Sequence, residues 1–361
     1  MRLPFLELSG TCLKQGQVHG ESLKDLIEKN IAVYSRRFQK EAKLSKVEVL
    51  ERTDSCLRTL KKQSINYYEG ILGIAEGSNQ ELMNIAMLNF RYELLYHAIG
   101  KLQMDAVDGC TSYAVLPEVA SNGHTIMGQN WDWIPDVECA IVETTAQVGP
   151  HQMAFTEAGI FGGKIGMNSE GLALTVNGMN TTVDDWSRFE KPFHLRCFEV
   201  LSFATLENAM EVLTGTPRSC TANFMIGQAQ NTVIDIELAP DTYVKISPQG
   251  GVLGHANHFT DPDPAEIIEP PNPRRYLSKF RHERMETLLN ERKPLDVAGI
   301  QKILKDHHHS QSICRHPDPS LPSEQHTVTK TGVIMDLDER KLWFTNGNPC
   351  QNEFTEYSLL N

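Results

Sequence analysis

The sequence predicts an α+β fold in which helices cover antiparallel sheets. Three observations support this prediction. Apolar residues recur at helical spacing through the first hundred residues, short alternating runs between turn residues begin near residue 105, and helical spacing returns only in later blocks. The chain has 361 residues, of which 40% are hydrophobic, so it can bury a large core without a disulfide or a metal.

The N-terminal part is predicted to be mostly helical. Residues 20–38 and 45–77 place apolar side chains three and four positions apart, as helices with one buried face do. A further helix is predicted over 79–100, with Asn79 capping its first turn.

Strands are predicted after residue 105, where apolar and polar residues alternate. The runs are 112–116, 124–129, 141–148, 161–176, 222–238 and 242–247. Ser121-Asn122-Gly123 is a hairpin signal between the first two runs. Later helices are predicted near 195–213, 276–290 and 295–306, a surface loop at the Pro-rich stretch 261–276, and a closing hairpin over 331–347.

Composition excludes several classes of function. Lys plus Arg number 34 against 46 Asp plus Glu, and the net charge of −12 argues against nucleic acid or an anionic membrane surface as the main partner. Eight cysteines are scattered without a CxxC pair, which favours a reducing compartment over a disulfide framework or a zinc site. No signal peptide or membrane span is recognisable, so a cytoplasmic location is expected.

No cofactor or metal is expected. The run His307-His308-His309 suggests a metal at first, but consecutive side chains point in different directions and no carboxylate lies at ligand spacing. Gly162-Gly163 is not a phosphate loop, because no Gly-Lys-Ser/Thr follows it.

The first candidate for a reactive site is the dipeptide Gly109-Cys110. A thiol held against the carbonyl that precedes it can attack that carbonyl, and glycine allows the close approach. Once the bond opens, the new N-terminal cysteine carries a thiol and an α-amine whose reference pKa is near 8, so the amine can serve as the general base. The motif alone also fits a half-buried cysteine after a turn.

A further hypothesis is a conventional hydrolase in which the chain stays uncut before Cys110 and His124, His255 or His258 is the base.

Further motifs resemble the acyl-CoA:isopenicillin N acyltransferase family, whose members are self-cleaving enzymes of the N-terminal-nucleophile superfamily. The matching pieces, in order, are "GQVHG" (16–20), "MLNFRYE" (87–93), "DGCTSY" (108–113), "GQNWDW" (128–133), "TEAGIFGGKIGMNSEGLALTVNGMN" (156–180), "GHANHF" (254–259), "SICRH" (312–316) and "WFTNGNPCQNEFTEYSL" (343–359). The resemblance implies a four-layer αββα sandwich. It also implies fragments 1–109 and 110–361 that remain together as one structural unit, an alpha/beta heterodimer.

The resemblance also implies residue roles. Cys110 is the nucleophile, and Asp132 orients the freed amine. The Asn257 side chain and the Asn177 backbone N–H donate hydrogen bonds to the oxyanion of the tetrahedral intermediate. Arg315 favours the thiolate.

Other residues are assigned supporting roles. Thr111, Ser112 and Ser312 are candidates for tuning the self-cleavage step, and Cys314 is expected to be structural. Arg91 and Glu93 are expected to form an ion pair under the site. His255 and His258 are expected to shape the pocket.

The expected activity is hydrolysis or transfer of the acyl group of a linear amide through a Cys110 thioester. The alternative is an N-acyltransferase that takes its acyl group from acyl-CoA. A second alternative, a non-catalytic binding protein on the same fold, would be marked by loss of the nucleophile or of Asn257, and both are present. The long turn at 117–123 and the lack of a peroxisomal ending argue against a specifically penicillin-making role.

Overall fold

Two sheets lie face to face at the centre of the computed structural model, which describes residues 2–102, 109–145, 147, 149–260, 267–309 and 312–359. The strands are β1 (Phe5–Ser9), β2 (Thr111–Val115), β3 (Ile126–Trp133), β4 (Cys139–Thr145), β5 (Gln152–Glu157), β6 (Ile165–Asn168), β7 (Leu172–Gly178), β8 (Ala222–Gln228), β9 (Thr232–Leu238), β10 (Tyr243–Ile246), β11 (Val252–His255), β12 (Val328–Asp336), β13 (Lys341–Phe344) and β14 (Thr355–Ser358).

One sheet has the order β1-β4-β5-β6-β7-β8-β9-β10, and the other has the order β11-β2-β3-β12-β13-β14. Every pairing is antiparallel except that of β1 with β4. The sheets meet where Gln129 of β3 exchanges hydrogen bonds with the main chain of Val176 on β7, at 3.1 and 2.8 Å.

Helices form the two outer layers. They are α1 (Cys12–Ser22), α2 (Lys24–Lys40), α3 (Lys46–Gln63), α4 (Ile65–Ser78), α5 (Leu82–Asn89), α6 (Arg91–Leu102), α7 (Phe193–Ser202), α8 (Leu206–Thr214), α9 (Arg275–Glu291) and α10 (Val297–Leu304). Helices α9 and α10 pack on the six-stranded sheet, whereas α7 and α8 pack on the eight-stranded sheet. The predicted α+β class and the four-layer αββα order are therefore confirmed.

Glycines determine how α1 and α4 cross. A methyl group at Gly73 would lie 2.1 Å from the carbonyl oxygen of Leu13, and one at Gly77 would lie 2.1 Å from that of Gln17. Such contacts exclude any side chain at these positions, so the two backbones touch directly. Gly77 lies within α4, which continues to Ser78.

The structure differs locally from the sequence-based expectation at two places. Asn79 does not begin a helix, because it ends α4 in the left-handed conformation with φ of 56°. Strand β1 was not predicted, and it adds an edge to the eight-stranded sheet.

The predicted hairpin at 121–123 does join β2 to β3. The predicted helices near 195–213, 276–290 and 295–306 correspond to α7 with α8, α9 and α10. Residues 261–266 of the Pro-rich stretch and Asp108 of the Asp-Gly-Cys motif lie outside the described residues. In the described part of the chain, no helix combines the length and the hydrophobicity that crossing a membrane requires.

Candidate active site

Cys110 lies directly before β2, a strand that pairs with β3 and β11 inside the six-stranded sheet. It is buried, and its Sγ lies 3.7 Å from the backbone oxygen of Asp132. The neighbouring N–H of Gly109 donates to Oδ1 of Asn257 at 3.2 Å. Asn257 therefore fixes the residue that precedes Cys110, and the thiol lies against the main chain of Asp132.

Gly109 fills a space that admits no side chain. A methyl group there would lie 2.6 Å from Cβ of Asp132 and 2.9 Å from Nη1 of Arg315. Glycine is thus required by the close approach of these two charged residues to the backbone. Both residues were predicted from the sequence to belong to one site with Cys110.

Thr329 on β12 connects Asp132 to Arg315. Its hydroxyl donates to Oδ1 of Asp132 at 2.6 Å and accepts from the backbone N–H of Arg315 at 2.8 Å. Its own N–H donates to the Arg315 carbonyl at 3.0 Å. Sequence reasoning missed Thr329, because it belongs to none of the recognised motifs and only the pairing of β12 with β3 brings it here.

Asn257 follows β11 and is oriented by several partners. Its Nδ2 donates to the carbonyl of Gly178 at 3.0 Å, and its Oδ1 accepts from Nη2 of Arg281 at 2.8 Å. Its backbone N–H donates to Oγ of Ser278 at 2.8 Å. Ser278 and Arg281 are buried residues of α9, and no motif in the sequence pointed to them.

The thiol of Cys110 is neutral in the uncut chain. Burial and, after it, the nearby Asp132 charge raise its pKa to about 12, and the opposing charges of Arg281 and Lys164 do not compensate. A base is therefore needed before this sulfur can attack a carbonyl.

A narrow cavity opens beside Cys110. Its polar lining comes from Cys110, Asp132, Asn257, Arg91 and Lys164, and its aromatic lining from Tyr92, Tyr96, Trp131, Trp133 and Phe193. The rings of Tyr92 and Tyr96 stack at 4.0 Å, as do those of Tyr92 and Phe193. This cavity combines apolar walls with a polar end, as ligand sites commonly do.

Two of the lining cations, Arg91 and Lys164, share one buried carboxylate. The carboxylate of Glu157 pairs with Arg91 and with Lys164, all three of them buried, and Nζ of Lys164 lies 3.5 Å from the ring centre of Trp131. The expected pair of Arg91 with Glu93 is therefore wrong. Residues two apart on a helix do not share a face, and Glu93 instead accepts from the backbone N–H of Phe193 at 2.7 Å.

Burial and the neighbouring charges shift the pKa values of these groups. Burial lowers the pKa of Lys164 to about 8, even though the Glu157 charge opposes that shift. Burial alone would raise the pKa of Glu157, but the charges of Arg91 and Lys164 hold it well below its ordinary value. Burial also raises the pKa of Glu93 to about 7.

The other predicted residues lie around the cavity rather than in its lining. Oγ of Ser112 donates to Oδ1 of Asn177 at 2.7 Å, so both side chains lie between the sheets. Oγ1 of Thr111 accepts from Nε of Arg281 at 3.3 Å. Ser312 donates to Asp306 at 2.7 Å, away from the cavity.

The histidines proposed as alternative bases are engaged elsewhere. Nε2 of His255 lies 2.9 Å from Glu237, Nδ1 of His258 lies 2.8 Å from Ser278, and Nδ1 of His124 lies 2.9 Å from Asp336. Among the described residues, no histidine lies within hydrogen-bonding distance of Sγ of Cys110. The geometry thus gives the Cys–His hypothesis no support.

Residues 119–351 match the sequence model of the family described as acyl-coenzyme A:6-aminopenicillanic acid acyl-transferase. That segment contains Asp132, Asn177, Asn257 and Arg315 and begins downstream of Cys110. The 40 kDa form of acyl-coenzyme A:6-aminopenicillanic-acid-acyltransferase from Emericella nidulans is 29% identical over 314 residues, which are 85% of this chain and 83% of that protein.

Several solved structures are similar to this chain. A Caenorhabditis elegans ortholog of N-acylethanolamine-hydrolyzing acid amidase is similar with a TM-score of 0.48 and 14% identity, over 63% of this chain and 93% of that one. A conjugated bile acid hydrolase from Clostridium perfringens is similar with a TM-score of 0.48 and 14% identity, over 70% of this chain and 97% of that one.

Proposed function

The chain belongs to the acyl-coenzyme A:6-aminopenicillanic acid acyl-transferase family, and from that premise we propose that it is a self-cleaving cysteine enzyme acting on the acyl group of a linear amide. The observation that carries the proposal is the seating of the Gly109–Cys110 peptide. Its glycine lies against Asp132 and Arg315, and the N–H of that glycine donates to Asn257.

Self-cleavage is proposed to proceed through a thioester. Sγ of Cys110 loses its proton and attacks the Gly109 carbonyl carbon. The carbon–nitrogen bond then breaks, and the Cys110 nitrogen leaves as an amine that has gained a proton. Water hydrolyses the thioester, which produces a Gly109 carboxylate and restores the thiol. The resulting fragments are 1–109 and 110–361.

Cutting changes the site in two ways. It creates an α-amine on Cys110, which can accept the thiol proton because its ordinary pKa is near 8. It also allows Gly109 to leave its position beside Asp132 and Arg315, so a substrate acyl group can enter there. In each turnover, the sulfur attacks the amide carbon, the amine departs with a proton, and an acyl-cysteine remains.

Two acceptors can complete the reaction. Attack by water produces a carboxylic acid, and attack by a second amine produces a new amide. The name of the Emericella nidulans relative favours transfer from an acyl-CoA thioester. In both cases Asn257 is the proposed side-chain donor to the oxyanion, and its Nδ2 carries two N–H groups, one of which bonds Gly178.

The direct test of the proposal is intact mass and N-terminal sequencing of the purified protein. We expect fragments of 109 and 252 residues (361 − 109 = 252), the larger starting at Cys110. A panel of acyl-amides and acyl-CoA thioesters, each with and without an amine acceptor, then separates hydrolysis from transfer. A protein that is active with the Gly109–Cys110 bond intact contradicts the mechanism.

Gly109→Ala is expected to slow self-cleavage strongly. The added methyl group would overlap Cβ of Asp132, so the scissile peptide must shift away from the thiol. Displacement of reacting groups by about 1 Å can reduce a rate about 100-fold. The measurement is the fraction of cut chain against time after synthesis. Gly123→Ala in the exposed hairpin turn is the control, since space there is open although its positive φ adds strain.

Asn257→Ala is expected to lower kcat about 100- to 1000-fold, with a smaller change in KM. Loss of one donor to an oxyanion has an effect of that size. The variant should be made on the separately expressed 110–361 and 1–109 fragments as well as on the full chain, since it can also slow cutting. Asn290→Ala on the exposed part of α9 is the control. Equal kcat in both variants would remove Asn257 from the mechanism.

A further inference from the structure

Four side chains with metal-binding atoms converge near the active site. This His-Cys cluster consists of His307, Cys314, His316 and Cys350. The four ligand atoms all lie within 4.8 Å of one another. Nε2 of His316 lies 2.9 Å from Nε2 of His307, 3.3 Å from Sγ of Cys350 and 4.0 Å from Sγ of Cys314.

These separations suit a tetrahedral ion. Zinc bonds of about 2.0 Å to nitrogen and about 2.3 Å to sulfur produce tetrahedron edges of about 3.3–3.8 Å. The three separations from His316 Nε2 scatter around that range, so small side-chain movements bring all four atoms to bonding distance. Two thiolates and two neutral imidazoles also balance the charge of Zn²⁺, which suits a partly buried location.

The surroundings support metal ligation. Nδ2 of Asn348 lies 3.8 Å from Sγ of Cys314 and donates to the carbonyl of Arg315 at 2.6 Å. An N–H group aimed at a cysteine sulfur stabilises the thiolate that a metal needs.

We propose that the His-Cys cluster binds one Zn²⁺ ion, which holds the segment carrying Arg315 against the active site. Arg315 lies between two of the ligands, Cys314 and His316. The other ligands come from the segment that follows α10 and from the loop between β13 and β14. One ion would therefore join three segments, and the segment it fixes is hydrogen-bonded through Thr329 to Asp132.

The sequence led to the expectation that no metal binds here, because the cysteines form no CxxC pair and the consecutive histidines point in different directions. Of the three consecutive histidines, His307 is the one that belongs to the His-Cys cluster. His308 and His309 instead lie beside the ring of Phe280, at 5.5 and 4.4 Å between ring centres. Cys350 is 34 residues from its nearest ligand in sequence, His316, so no local spacing reveals the set.

The test is metal content of the full-length protein, purified under reducing conditions after expression with zinc. We expect close to one zinc per chain by elemental analysis, and loss of most of it in His307→Ala and in Cys350→Ser. His308→Ala is the matched control and should keep the wild-type content. Cobalt substituted for zinc should produce the visible absorption of tetrahedral thiolate coordination, and adding zinc to metal-free protein should raise its Tm.

Enzyme turnover then tests whether the bound zinc supports the active site. Removing zinc with a chelator is expected to lower turnover at least about tenfold, and adding zinc back should restore it, because loss of a structural support displaces Arg315. His307→Ala should not respond to zinc. Metal content is measured without reference to turnover, so failure of the proposed enzymatic function leaves this test intact.

Three results would overturn the inference. The first is wild-type protein that retains less than about a tenth of a zinc per chain and whose Tm does not change with added zinc. The second is equal zinc content in His307→Ala and His308→Ala. The third is a Cys314–Cys350 disulfide in the reduced preparation, since oxidised sulfurs cannot serve as thiolate ligands.

Discussion

Cys110→Ala is expected to leave a single uncut chain with turnover reduced at least about 10⁴-fold, the scale on which removal of a nucleophile acts. The same sulfur opens the Gly109–Cys110 bond and carries the acyl group, so one substitution removes both steps. Intact mass measures the first effect, and a product assay with the preferred amide measures the second.

The fold of this variant should remain intact. Cys110 is a buried residue on the edge of a cavity, and alanine keeps its backbone geometry. Cys12→Ala, which removes a half-buried thiol from the N-terminal helices, is the control and should be cut and active. Cutting in Cys110→Ala, or turnover within a factor of ten of wild type, would show that another residue is the nucleophile.

Glu157→Gln is expected to destabilise the protein by about 3–5 kcal/mol, the range for breaking a buried ion pair. Arg91 and Lys164 both pair with this carboxylate, and all three side chains are at most 4% exposed. Glutamine has nearly the same volume but no charge, and its NH2 group cannot replace the carboxylate oxygen that accepts from Tyr34 or the one that accepts from the two cations. Two buried cations would remain without a counterion.

The midpoint of urea unfolding measures this effect. It is best recorded in the Cys110→Ala background, in which unfolding does not separate two fragments. Glu138→Gln is the control, because its pair with Lys29 is exposed and should contribute at most about 1 kcal/mol. A change for Glu157→Gln as small as that of the control would mean that the buried cations lose their charge at little cost.

The destabilisation should also depend on pH. Burial lowers the pKa of Lys164 to about 8 in the folded wild type, below its ordinary value of 10.5. A lysine of this kind destabilises the fold most fully below its folded pKa, and the penalty fades as the pH rises towards the unfolded value. Without Glu157 the folded pKa falls further, so the loss should be larger at pH 6 than at pH 9.

Local patterns predicted much of the fold correctly. The alternation on either side of Ser121-Asn122-Gly123 identified the hairpin that carries Cys110 and Asp132 into neighbouring strands. Helical spacing identified α7 to α10. The errors came from positions that local spacing does not resolve, such as Asn79, which ends α4 instead of beginning a helix, and β1, which depends on pairing with the distant β4.

The sequence by itself determined the order of helices and strands except for β1, the candidate residues Cys110, Asp132, Asn257 and Arg315, and the family. Each of these depends on side-chain periodicity or on short motifs, which are local properties of the chain. Only the tertiary structure decided which residues meet across the sheets. Glu157 rather than Glu93 pairs with Arg91, Thr329 joins Asp132 to Arg315, and Cys350 approaches His316, because strand pairing and packing bring together residues that are far apart in sequence.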